Sequence, residues 1–174
     1  MNGIEHFAAA LGADRSARDR ARQRWLERQS AESSSMAGIL LDLAELEESA
    51  MFSLRSGRRF GARVGAVGDE ITMLEDSDSN RLLLRHSTLA SVRPQAGRQI
   101  TGDRLVSRPF GFDDALSLVA EDRPDASLLD RSGQAVLFAR LMSVGVDVLT
   151  VRPNGRARDE MHVATDAIGG IVTT

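Results

Sequence analysis

Few side chains in this sequence could do chemistry at neutral pH. Cys and Tyr are absent and 3 His are present, which excludes a disulfide framework, a thiolate zinc site and a cysteine nucleophile. His6 and His162 have no ligand partners at metal spacing. His86 differs, because it follows Arg85 at the end of an apolar run and just before a turn. An imidazole and a guanidinium placed there could contact a base or a 2′-hydroxyl, or simply close a hairpin at the surface. All 22 basic residues are Arg, a bias that GC-rich coding produces, so each Arg reads first as a surface cation. Arg59 and Arg63 share one face of an alternating segment and form a candidate cationic strip, or a solvated one. Asp76-Ser77-Asp78-Ser79-Asn80 opens like a calcium loop, but Arg81 replaces the required Gly and Ser87 the closing Glu, so it reads as a hairpin loop. Gly61, Gly65 and Gly68 lack the spacing of a phosphate loop and precede a strand. Asp113-Asp114 opens a helix, where carboxylates favour the dipole, and has no basic or nucleophilic partner. The chain therefore reads as non-catalytic, with no metal and no cofactor.

These side chains must be placed by 174 residues, of which 42% are hydrophobic. That suffices for one ordinary domain or two very small ones. A net charge of -3 argues against bulk electrostatic attraction to nucleic acid. The charge is uneven: residues 51–93 hold 7 Arg and 5 acidic residues, net +2, whereas 1–50 are net -3 and 94–126 net -2. No apolar run approaches the roughly 20 residues of a membrane span, and Glu5 sits where a secretory signal would be basic. The expected location is cytoplasmic, without a membrane partner.

Residues 14–29 predict a polar helix with Asp14 as its cap and Trp25 and Leu26 as its large apolar groups, read as a solvated arm followed by a linker at 30–35. Met36, Ile39, Leu40, Leu43 and Leu46 recur at helical spacing, so an amphipathic helix runs over 36–49 with Ser35 as its cap. Strands are predicted at 51–55, 58–67, 70–74, 81–86 and 89–92, with Gly61 and Gly65 letting the second curve sharply. The same order then returns, as a helix at 113–122 capped at Asp113 and strands at 126–130, 134–144, 147–151, 160–164 and 167–172. Identities keep step with the elements. Arg55-Ser56-Gly57 matches Arg131-Ser132-Gly133 at an offset of 76, and Ala62-Arg63 matches Ala139-Arg140 at 77. Asp69 and Thr72 fit Asp147 and Thr150 at 78, and Leu89-Ala90-Ser91-Val92 fits Ile168-Gly169-Gly170-Ile171 at 79. An internal duplication is predicted.

A helix followed by five strands of a strongly bent antiparallel sheet resembles the Sm-like domain, the family that includes the bacterial RNA chaperone Hfq. SGRRFGARVGAVGDEITML (56–74) resembles its first motif, a Gly turn and glycine-bent strand followed by an Asp and a short apolar strand. RLLLRHSTLASVRP (81–94) resembles the second, and Arg85-His86 is similar to the Lys-His of Hfq. The resemblance spans about 40 residues in each half and extends to a group of tandem proteins from high-GC Gram-positive bacteria. It implies an α+β, mainly β fold of two small bent five-stranded barrels, each preceded by a helix. The divisions are an arm and linker at 1–35, repeat 1 at 36–94, a connection at 95–112 and repeat 2 at 113–174. The resemblance also implies that Asp69, Glu70, Ile71, Arg85 and His86 line a nucleotide pocket. Two departures stand against that pocket: Ile71 lies near the position where the family stacks a base on an aromatic, and Ala164-Thr165 replaces Arg85-His86 in the second copy. The expected function is non-catalytic RNA binding of an RNA-chaperone kind. Self-association through strand edges goes with it, as a pseudo-hexameric ring, as a dimer or by pairing inside one chain. The alternatives are a protein-interaction scaffold without nucleic-acid binding and a DNA-binding regulator.

Overall fold

The computed structural model describes residues 22, 23, 25, 32–95, 100–106, 110–155 and 159–173. The arm expected over 14–29 lies outside the described residues except for Arg22, Gln23 and Trp25, which are helical. Ser35 caps the helix that follows it, as its sequence predicts: its Oγ accepts the Gly38 N–H at 3.0 Å, satisfying a donor that the helix cannot. Helix α1 runs Met36–Leu46 and buries Leu40 and Leu43; it ends where Glu47 turns left-handed at φ 51°. Strands β1 (Ser49–Leu54), β2 (Arg59–Val67), β3 (Ile71–Asp76), β4 (Arg81–Arg85) and β5 (Leu89–Pro94) follow, with a 3-10 turn His86–Thr88 between the last two. The series then repeats as α2 (Phe112–Glu121), β6 (Asp125–Asp130), β7 (Ala135–Val144), β8 (Val148–Pro153), β9 (Met161–Ala164), a 3-10 turn Thr165–Ala167, and β10 (Ile168–Thr173). The cap of α2 is Gly111 rather than Asp113. Asp114 reaches back to accept the Gly111 N–H at 3.3 Å, and Asp113 and Asp114 both lie in the first turn, where the helix dipole favours them.

Among the described residues the fold is mainly β, with α1 and α2 each preceding five strands. Its strands form one antiparallel sheet in the order β5-β1-β2-β3-β4-β10-β6-β7-β8-β9, continuous rather than closed, with β5 and β9 at its free edges. Each group of five strands has the same internal order, and the two groups meet where β4 pairs with β10. The duplicated Arg-Ser-Gly has a physical reason. Arg55 Nε donates to the Ser87 carbonyl and Arg131 Nε to the Asp166 carbonyl, so each pins the 3-10 turn of its own half. Gly57 and Gly133 turn their hairpins at φ 89° and 88°, a region that costs a side chain strain. The His86 N–H donates to the Glu70 carbonyl at 2.6 Å and the Thr165 N–H to the Asp147 carbonyl at 2.9 Å. Glu70 therefore corresponds to Asp147, and by strand register Thr72 corresponds to Leu149. Matching Asp69 with Asp147 and Thr72 with Thr150 is out by one residue. The step in offset from 76 to 77 is a β-bulge, since Val136 is left between the Leu129–Ala135 and Leu128–Leu137 pairs. Gly65 likewise sits at a bulge, between the Val64–Leu74 and Ala66–Met73 pairs, whereas Gly61 pairs regularly with Met51.

Two cores result. Leu40 and Leu43 of α1 join Phe52, Leu54, Leu74, Leu82 and Leu84, and Phe112 and Leu116 of α2 join Leu128, Leu141, Leu149 and Ile168. The β4–β10 pair serves both: Leu82 and Leu84 enter the first core, while Leu83 and Ile171 enter the second. A strand buried on both faces needs a continuous apolar run instead of alternation, which is why RLLLR and IGGIV read as they do. The approach is close at Gly170, where a Cβ would lie 2.5 Å from Leu84 Cδ2 and 2.7 Å from the Leu83 carbonyl oxygen.

Candidate nucleic-acid interface

The five residues nominated for a nucleotide pocket do come together. Ile71 is the register partner of Arg85, Asp69 and Glu70 form the exposed bend before β3, and His86 is tied to Glu70 through its backbone. Arg85, however, is turned across the β4–β10 joint. Its Nε donates to the Ile168 carbonyl at 3.1 Å, its Nη2 to the Thr165 carbonyl at 3.3 Å and its Nη1 to Glu70 Oε2 at 3.3 Å. The guanidinium carbon lies 4.0 Å from the Phe112 ring centroid, and the side chain is only 13% exposed. Every nitrogen of the head group is engaged within the chain. Burial holds the His86 imidazole below its ordinary value, against a raising pull from the Ile71 and Asp69 backbone and the Glu70 and Asp69 charges. Its Nε2 is buried with no hydrogen-bond partner among the described residues. This cluster binds one half of the molecule to the other.

Arg59 and Arg63 stand elsewhere, on the face of the first five strands turned away from α1, and both are exposed as their alternation predicts. Strand register extends their strip. Arg63 is opposite Glu75 and Glu75 opposite Arg81; Gly61 is opposite Met51 and Met51 opposite Arg93. Arg59, Arg63, Arg81 and Arg93 thus surround a floor that includes Ser49, Met51, Ser53 and Gly61 on one sheet face. None of the four guanidinium groups makes a hydrogen bond or ion pair with a described residue. Glu75 is the one acidic residue in their register rows, and Glu47 borders the strip beside Arg63. A shallow basin of about 330 Å³ lies on this face, lined by Ser49, Arg63, Glu75, Asp76 and Ser79.

The same positions in the last five strands are neutralised. Arg140, counterpart of Arg63, is held by Asp125 at 3.0 Å; Arg152, counterpart of Glu75, is held by Glu160, counterpart of Arg81, at 3.3 Å. Ala135 and Val172 stand where the first half has Arg59 and Arg93. The calcium-like stretch is a self-satisfied hairpin turn: Asp76 Oδ1 accepts the N–H groups of Asp78 and Asn80, each at 2.9 Å, and its Oδ2 accepts Asn80 Nδ2 at 2.8 Å. Burial pushes the Asp76 carboxyl up, but these bonds and nearby Arg58 bring it below its ordinary value. Among the described residues no group of three or more His, Asp or Glu is placed to hold a metal, and no helix is long and apolar enough to cross a membrane.

Sequence reasoning missed Arg81 and Arg93 as members of the strip. Their signal is long-range register, which alternation within one segment does not contain. It also missed the role of Arg85, for which the unbroken RLLL run before it was the available sign. No protein-family model matches this chain, and no curated protein matches it in sequence.

Proposed function

We propose that the chain is a non-catalytic, cytoplasmic tandem Sm-like protein that binds single-stranded RNA through the arginine-bearing outer face of its first half. The observation that carries this reading is the contrast between copies of one surface. Four exposed arginines without partners occupy the first copy, while the arginines of the second are paired with carboxylates. Unpaired guanidinium groups around a floor of Ser, Gly and Met side chains offer phosphates contact without first breaking an ion pair. The strand order within each half supports the Sm-like assignment, and the involvement of Arg85 in the joint argues for the sheet face over the Arg85-His86 pocket. The test is binding of a fluorescent single-stranded oligoribonucleotide to the full chain. Replacing Arg59, Arg63, Arg81 and Arg93 together by Ala should abolish binding, while Arg140→Ala/Arg152→Ala should leave it intact. Equal loss from both sets, or binding by neither protein nor variant, would overturn the reading.

A scaffold role is the second reading. It is favoured by Phe138 and Val136, which are 51% and 61% exposed on β7 and give the second half an apolar surface suited to a protein partner.

A further inference from the structure

The outer face of the first half does not stop at Arg81. It continues as Met73 and Leu83 and passes beneath α2, leaving a groove of about 510 Å³ between β3–β4 and that helix. Its apolar wall includes Met73, Leu83, Leu118 and Ile171, with Arg81 and Asp122 as charged groups of its lining. Leu118 is 57% exposed although it lies on the helix side of this groove, and Arg81 and Asp122 form no ion pair with each other. Ser79 belongs to both this groove and the basin on the arginine face, so the two hollows adjoin across the β3–β4 turn.

We infer that this groove receives one unstacked nucleobase of the strand whose backbone lies on the arginine face. The inference rests on the RNA-binding reading above. Charge selects the occupant. A chain bound along Arg59, Arg63 and Arg81 is a polyanion, and the group a nucleic acid offers to an apolar slot next to its last phosphate contact is a base. Aliphatic side chains supply the apolar surface that an aromatic would supply elsewhere. The Asp122 carboxylate oxygens accept hydrogen bonds, so the groove favours adenine and cytosine, whose exocyclic amino group stands where uracil has a carbonyl.

The experiment compares the affinity of the full chain for oligo(A), oligo(C), oligo(U) and an abasic oligonucleotide of equal length and charge. Leu118→Trp fills the groove from an exposed position and leaves every arginine in place. It should weaken oligo(A) and oligo(C) binding by roughly tenfold, to the level of the abasic chain, with the salt dependence unchanged. Asp122→Asn should erase the preference over oligo(U). Wild-type affinity in Leu118→Trp, or an abasic chain bound as tightly as oligo(A), would overturn the groove while leaving the arginine face standing. Absence of binding to any chain would overturn both. A thermal melt of Leu118→Trp matching the wild type confirms that the loss is local.

Discussion

Arg85 and His86 illustrate how a side chain's surroundings decide its task. The Arg85 head group meets two carbonyls, an aromatic face and two carboxylates at once, the second being Asp113, which thereby gains at 3.8 Å the basic partner its own segment of sequence does not show, a set that a planar fork of five donors can serve and an ammonium cannot. Both Arg85→Ala and Arg85→Lys should therefore destabilise the fold, the first by about 2–3 kcal/mol, since bonds to a charged group are lost and buried carbonyls are left bare. Chemical denaturation of each variant measures this, and a loss within error of zero for Arg85→Ala would contradict the joint. His86 is held neutral by burial, its value drawn below the ordinary 6.5. A histidine whose folded value is depressed stabilises the fold above its unfolded value, and that contribution is lost as pH falls through the unfolded value toward the folded one. Stability should accordingly decline as the pH drops below about 6.5, and His86→Gln should flatten that decline. Urea midpoints across this interval give the comparison, and parallel profiles for the two proteins would count against it.

At the scale of elements, local pattern was a good guide wherever a strand has one wet face. Alternation marks β1 and β2, the return of the same element order marks β6 and β7, and Ser35 marks the start of α1 because its capping bond is made within three residues. What the sequence concealed was partnership between distant strands. RLLLR and IGGIV could be seen as strands, but that they pair with each other depends on two cores meeting around them, which no local window contains. Identity misleads by one residue at Asp69 because the correspondence across this loop is fixed by the Glu70 and Asp147 carbonyls. Joining the halves makes a steric demand at Gly170, where any Cβ runs into the β4 backbone. Gly170→Ala should cost roughly 1–3 kcal/mol through forced separation of the strands, whereas Ser91→Ala, at the corresponding position of exposed β5, should change stability little. Equal effects in thermal melts would show that β10 is not held this closely.

For the whole molecule, the β4–β10 joint pairs the two copies inside one chain, one of the arrangements open to their strand edges. The free edges are not copies of it. Ala164 and Ala167 replace Arg85 and Thr88, the latter of which donates from Oγ1 to the Gly169 carbonyl at 2.9 Å. Ser91 replaces Gly170, and β5 carries Arg93 and Pro94, residues that blunt an edge against further pairing. Light scattering at micromolar concentration should therefore return the mass of one chain, 18.9 kDa, and a stable hexameric or trimeric species would require a joint that these edges lack. Among the described residues four unpaired arginines gather on the outer face of the first half, and the salt dependence of the proposed RNA binding tests that assignment most directly. If Arg59, Arg63, Arg81 and Arg93 each neutralise one phosphate of a single strand, log affinity should fall against log salt with a slope of about -3, or about fifty-fold between 50 and 200 mM. Removing Arg59 and Arg93 should roughly halve that slope. A slope near zero, or one unchanged in the double variant, would contradict the assignment of this face to RNA.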